Sequence, residues 1–139
     1  MNRPEARENM MIIAFQMGVN KDFDPDSEYH YFKDVDPGTQ GEYMERCFSL
    51  LCSKKEEIDR EISSHCRQWT LERMPQTDLA ILRVAVCELM YMDDVPEGAS
   101  INEAVELAKK YSDVNSPSYI NGILGRIAAE RRKSADIEK

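Results

Sequence analysis

Apolar residues return along this chain every three or four positions and nowhere alternate with a period of two. That rhythm belongs to helices packed on helices, not to strands. The first such segment follows Asn2, suited to capping, and Pro4, suited to a first turn. Ala6, Met10, Ile13, Ala14 and Met17 form its stripe, and Gly18 ends it. Met11, Ile12 and Phe15 widen the stripe, which predicts a helix covered on more than one side. The polar stretch over 20–41 carries Asp22, Asp24 and Asp26 at the spacing that opens a calcium loop. Ser27 stands where that loop turns on glycine, and Lys33 where it needs a bidentate glutamate. The stretch therefore reads as an acidic surface loop with a short helix over 28–33.

From 40 to 69, Tyr43, Met44, Cys47, Phe48, Leu51, Ile58, Ile62 and Trp69 keep helical spacing across a polar break at 53–57, which predicts two helices. A boundary at 74–78 leads into the most apolar segment, 78–92. Leu79, Leu82, Val86, Leu89 and Met90 mark one stripe there, and Ala80, Ile81, Ala85 and Cys87 fill the other sides, as in a central core helix. Its Arg83 and Glu88 need partners once buried, and the simplest expectation is that they pair internally. Ser100 with Glu103 fits a capping box for the next helix, which ends in Lys109 and Lys110, where the helix dipole favours cations.

The stretch SPSYINGILGRI over 116–127 contains Asn121-Gly122, a hairpin signal. Yet Tyr119, Ile120, Ile123, Leu124 and Ile127 keep helical spacing behind Ser116-Pro117, a capping residue followed by a first-turn proline. Gly122 and Gly125 are thus expected inside a helix, where each costs about 1 kcal/mol against alanine. Close approach of a neighbouring helix would recover that cost, and Gly122→Leu would then clash. Asn121 either satisfies a buried polar group or points outward. Residues 1–4 and 133–139 are expected to fray. The pattern as a whole predicts an all-α single domain over 1–139, with six or seven helices and short loops.

Composition narrows the functional classes. No apolar run reaches the length of a membrane span. The short apolar run near the start follows Glu5 and Glu8 and lacks a small-residue cleavage site, so it does not read as a signal peptide. Cys47, Cys52, Cys66 and Cys87 make no CxxC pair and read as reduced cytosolic thiols. His65-Cys66 has no further ligands at usable spacing, so no metal site and no cofactor are expected. There is no phosphate-binding glycine loop and no nucleophile beside an activating base, which argues against an enzyme. A net charge of −8 excludes a protein that coats nucleic acid nonspecifically. It leaves room for a local basic patch, or for binding shared with a basic partner.

Several blocks then fall into one order: Leu82-Arg83, Glu88-Leu89, Asp94-Val95-Pro96, INEAVELAK over 101–109, and Asn121-Gly122-Ile123-Leu124. With AREN over 6–9 before the first apolar helix, and with its length, the chain resembles the NusB family of transcription antitermination factors. The resemblance implies two packed helical bundles, no catalysed reaction and no cofactor. It implies binding of boxA-type RNA together with NusE, a small-subunit ribosomal protein. It also implies a place in the RNA polymerase antitermination complex, serving ribosomal RNA operons in the bacterial cytoplasm.

Site residues follow from the same resemblance. Arg3 and Arg7 belong to an N-terminal arginine motif for the RNA backbone, interrupted here by Pro4 and Glu5. Phe15 stands where relatives often carry an aromatic residue; it stacks on a base or packs in the core, and periodicity favours the core. Asn115 and Ser118 lie where the last helix meets RNA, the alternative being simple capping, which Ser116 would satisfy. Glu72 and Asp78 lie in the 69–83 region used for NusE, as partner contacts or as solvated helix-end charges. Some relatives self-associate, and the apolar first helix is the candidate homodimer surface. The competing class is a protein-interaction scaffold with little RNA affinity, suggested by the diluted arginine motif and the negative charge.

Overall fold

The computed structural model describes residues 1–67 and 70–138. Trp69, expected in the core and at a partner surface, lies outside them. The described residues form α1 (Arg3–Asn20), α2 (Glu28–Phe32), α3 (Gly41–Ser53), α4 (Lys55–Ser64), α5 (Gln76–Tyr91), α6 (Glu97–Tyr111) and α7 (Ser116–Glu138), with no strand among them. Asn2 starts α1 with a complete capping box: its side chain accepts from the Glu5 N–H, and the Glu5 carboxylate accepts from the Asn2 N–H. α1 runs past Gly18 and stops where Lys21 turns left-handed at φ 53°. The polar break at 53–57 bends the chain between α3 and α4, giving the two helices expected. Residues 133–138, where fraying was expected, continue α7.

α5 is the axis. It packs against α1, α3 and α4 on one side and against α6 and α7 on the other, so two bundles share it, and one apolar core runs through both. From Asp78 to Glu88 every residue of α5 is buried, three charges included. Each charge meets a different neighbour. Asp78 accepts from Ser116 Oγ at 3.0 Å and from the Tyr119 hydroxyl, both on α7. Arg83 donates through Nε and Nη2 to the two carboxylate oxygens of Asp59 on α4, at 2.8 and 3.0 Å. Glu88 accepts from Arg7 Nε on α1 at 3.0 and 3.1 Å, from Ser100 Oγ on α6 at 2.6 Å, and from the Tyr43 hydroxyl on α3. Burial above all, with the nearby Cys47 and Glu88 adding to it, pushes the Tyr43 phenol far above its ordinary value and keeps it a donor.

These contacts overturn three expectations. Arg83 and Glu88 do not pair with each other, because five helical residues set them about 140° apart. Ser100 does not open a capping box: α6 begins a turn earlier, behind Pro96, and the Ser100 hydroxyl serves Glu88 instead. Likewise the Ser116 hydroxyl serves Asp78 and not the α7 backbone.

Two further expectations fail on α1 and α7. Of the residues that widen the α1 stripe, Met11 is buried, whereas Ile12 and Phe15, with Val19, are 38%, 37% and 52% exposed, so that face of α1 is left uncovered. Among the described residues, no helix packs at the glycines of α7. A Cβ at Gly122 would meet only the Arg126 side chain, and one at Gly125 would meet open space. The close approach occurs at Gly18 instead, where a Cβ would sit 2.8 Å from Gln76 Oε1 and 3.1 Å from Arg83 Nη1. Glu8 ties α1 to the end of α6, accepting from Lys110 Nζ at 2.6 Å and from the Tyr111 hydroxyl at 2.5 Å. Lys110 first, then Tyr111, holds the Glu8 carboxyl below its ordinary value.

Removing one partner of a buried ion pair strands the other charge, so Glu88→Ala is expected to cost about 3–5 kcal/mol in urea unfolding. A cost under about 1 kcal/mol would deny Glu88 its role as a hub. Gly125→Ala, in an open helical position, should raise stability by about 1 kcal/mol in the same experiment; a loss would reveal a packed neighbour. A carboxyl held low stabilises above its unfolded value and loses that contribution as pH falls through its folded one. Wild type should therefore melt above Glu8→Gln at neutral pH, and the two should converge on acidification; a pH-independent gap would contradict the tie.

Candidate nucleic-acid interface

The Glu8 tie places the outer face of α1 beside the connection from α6 to α7. Glu8, Ile12, Phe15 and Val19 share that face by helical spacing. Residues 112–115 follow α6 directly, and within them Val114 is 92% exposed and Asn115 is exposed. Ser118, one turn into α7, is also exposed. It lines a groove of about 420 Å³ between α6 and α7 with Asn102, Lys109, Pro117 and Asn121. Asn121 is exposed there, so it does not serve a buried polar group. The buried Asp78 holds this end of α7 through Ser116 and Tyr119, so the first turn of α7 is fixed from inside while its polar face stays free.

Phe15, Asn115 and Ser118 therefore sit at the surface on neighbouring elements, and the preference for Phe15 in the core is corrected. The arginines do not join them. Helical spacing turns Arg7 roughly 80–140° and Arg3 roughly 120–180° away from Ile12 and Phe15. Arg7 is buried and its Nε is committed to Glu88. Arg3 is half-buried, with Nε on Gln40 Oε1 at 2.6 Å and its guanidinium 4.3 Å from the centre of the Tyr43 ring. Sequence reasoning missed this because an arginine reads the same whether it faces phosphate or a buried carboxylate. The nearby lysines also have partners: Lys110 pairs with Glu8, and Lys109 with Glu106 at 3.1 Å.

The two acids expected to meet a protein partner part company as well. Asp78 is 2% exposed and bonded within the fold, so it is no surface charge. Glu72 is exposed, in the 3-10 turn Leu71–Arg73. It edges a groove of about 430 Å³ with Lys21, Phe23, Asp59 and Leu71. The signal that would have separated them lay in the helical register: Asp78 falls inside a segment apolar on all sides, and Glu72 falls before it.

No described helix is long and apolar enough to cross a membrane. The profile of the NusB family matches residues 4–129. The transcription antitermination protein NusB of Thermoanaerobacter sp. (strain X514) is 45% identical over 125 residues, covering 90% of this chain and 89% of the relative. The solved structure of T. maritima NusB superposes with a TM-score of 0.84 at 30% identity, covering 94% of this chain and 92% of that one. A chain in the crystal structure of antitermination factors NusB and NusE in complex with dsRNA superposes with a TM-score of 0.79 at 23% identity, covering 92% and 96%. At that identity the last likeness speaks for the fold alone. The helical order, the buried axis and a profile match that leaves out only the chain ends agree: this chain belongs to the NusB family of transcription antitermination proteins.

Proposed function

We propose that this chain is a transcription antitermination factor that binds boxA-type RNA together with NusE. It would act in the bacterial cytoplasm, within the RNA polymerase antitermination complex, and support ribosomal RNA transcription without catalysing a reaction. One observation carries the reading: an exposed aromatic lies on the α1 face that Glu8 ties to the end of α6, just before the polar start of α7, which the buried Asp78 holds. Phe15 offers a stacking platform for an unpaired base. Asn115 and Ser118 offer donors to phosphates or base edges, and the N-terminus of α7 favours anions. Arg3, on the other side of α1 against Gln40 and Tyr43, stands apart from this surface, and Arg7 acts as a positioning residue by anchoring α1 to Glu88. Glu72, in its groove with Phe23, suits a basic ribosomal protein, and Asp78 supports that side by fixing α7.

The Ile12–Phe15–Val19 face also suits a second copy of the chain, and a homodimer formed there would compete with RNA. A second reading has its own observation. Because Arg7 is internal, few free cations face the site, which favours a scaffold with little intrinsic RNA affinity. Titration of boxA RNA with and without NusE, at two salt concentrations, separates the two. The RNA reading expects NusE to tighten binding, with a shallow salt slope. It expects Phe15→Ala to weaken binding by roughly tenfold, in the range for one stacked base. Glu72→Arg is expected to weaken NusE binding and to leave the melting temperature unchanged. If NusE binds without raising RNA affinity and Phe15→Ala changes nothing, the scaffold reading replaces this one.

A further inference from the structure

A second cluster lies where the end of α4 meets α7, and neither the RNA nor the NusE reading uses it. His65, just after α4, is 7% exposed. Its Nδ1 is 2.9 Å from the Glu61 carbonyl oxygen and 3.0 Å from Ser64 Oγ. A carbonyl only accepts, so Nδ1 carries a hydrogen and donates it there. Nε2 lies 2.9 Å from Glu130 Oε2 on α7; a carboxylate likewise only accepts, so without an ion a hydrogen lies between the two, and a bound cation would take its place. Glu61, His65 and Glu130 each place one ligand atom within 4.8 Å of the others.

We propose that Glu61, His65 and Glu130 form a divalent-cation site that takes Zn²⁺ and clasps α4 to α7. A backbone carbonyl on one ring nitrogen fixes the tautomer and aims the other nitrogen's lone pair, which is how metal-bound imidazoles are supported. Two donors each about 2.0–2.2 Å from one zinc ion and about 90–110° apart stand about 3 Å from each other. The Nε2–Oε2 pair already has that separation. Glu61 is only half-buried and closes the remaining gap by side-chain rotation. One imidazole and two carboxylates leave the fourth position to water, a donor set of nitrogen and oxygen that suits zinc. The nearby cation, Arg126, donates to the His65 carbonyl at 3.0 Å and so engages the backbone of that residue instead of its ring. Glu61 and His65 were readable as an i, i+4 pair, but Glu130 is 65 residues beyond the histidine, which is why the sequence showed no ligand set.

The test is titration of the chelator-stripped full chain with Zn²⁺ by calorimetry, with Co²⁺ as an absorbing probe. One ion per chain is expected, with a Co²⁺ visible spectrum of low coordination number and a higher melting temperature on adding Zn²⁺. Glu130→Gln, at a mostly exposed side chain, should fold normally, bind more than about tenfold more weakly and lose the thermal shift. Glu61→Gln should behave alike, whereas His30→Ala and Cys66→Ser should bind as wild type does. No Zn²⁺ binding, or binding unchanged by Glu130→Gln, leaves a plain histidine–carboxylate pair and overturns the site. Binding lost in Cys66→Ser overturns it too, by moving the ion to the thiol.

Discussion

A helix buried on every side can carry charge only if its neighbours pair with that charge or hydrogen-bond to it, and α5 carries three. Asp78, Arg83 and Glu88 are each answered from a different direction: α7 for the first, α4 for the second, and α1, α3 and α6 together for the third. Apolar packing is tolerant of small slides and rotations, whereas a buried carboxylate with three donors is not. The order of the two bundles around α5 is therefore held by a few polar contacts within a largely apolar core.

The candidate interface depends on this arrangement. Its parts are a face of α1 and, about a hundred residues on, the connection after α6 with the first turn of α7. Glu88 fixes α1 through Arg7 and α6 through Ser100, and Asp78 fixes the start of α7. The Glu8 contacts to Lys110 and Tyr111 add an outer tie between α1 and α6. An aromatic ring and a few polar groups gain binding strength when they are held in place before the ligand arrives. Here the holding is done from beneath, and the outward-facing groups remain free of structural duty.

The same economy of charge bears on the proposed RNA role. A chain of net charge −8 gains little from general attraction to phosphate. The arginine in the position most suggestive of RNA contact is committed inside. What remains is a surface of stacking and hydrogen bonding, better suited to unpaired bases than to a duplex backbone. Such a surface benefits from a basic companion, and the exposed Glu72 beside Phe23 offers a place for one.

Much of the fold was legible along the chain, because helical period and capping chemistry are local. The cap at Asn2, the break between α3 and α4, the buried axis at 78–92 and the helix that Ser116-Pro117 opens all stand as read. Period says which residues share a face, but not which face a neighbour covers. That is why Phe15 lies outside the core and why Gly122 and Gly125 meet no helix among the described residues. The partners of buried polar groups were equally out of reach. Ser100 and Ser116 have the chemistry of caps, and only the fold shows carboxylates of α5 within reach of their hydroxyls. The sequence by itself determined the elements, the axis and the family. Tertiary structure decided which charges are internal and which face outward, because that depends on distances between residues as far apart as Arg7 and Glu88.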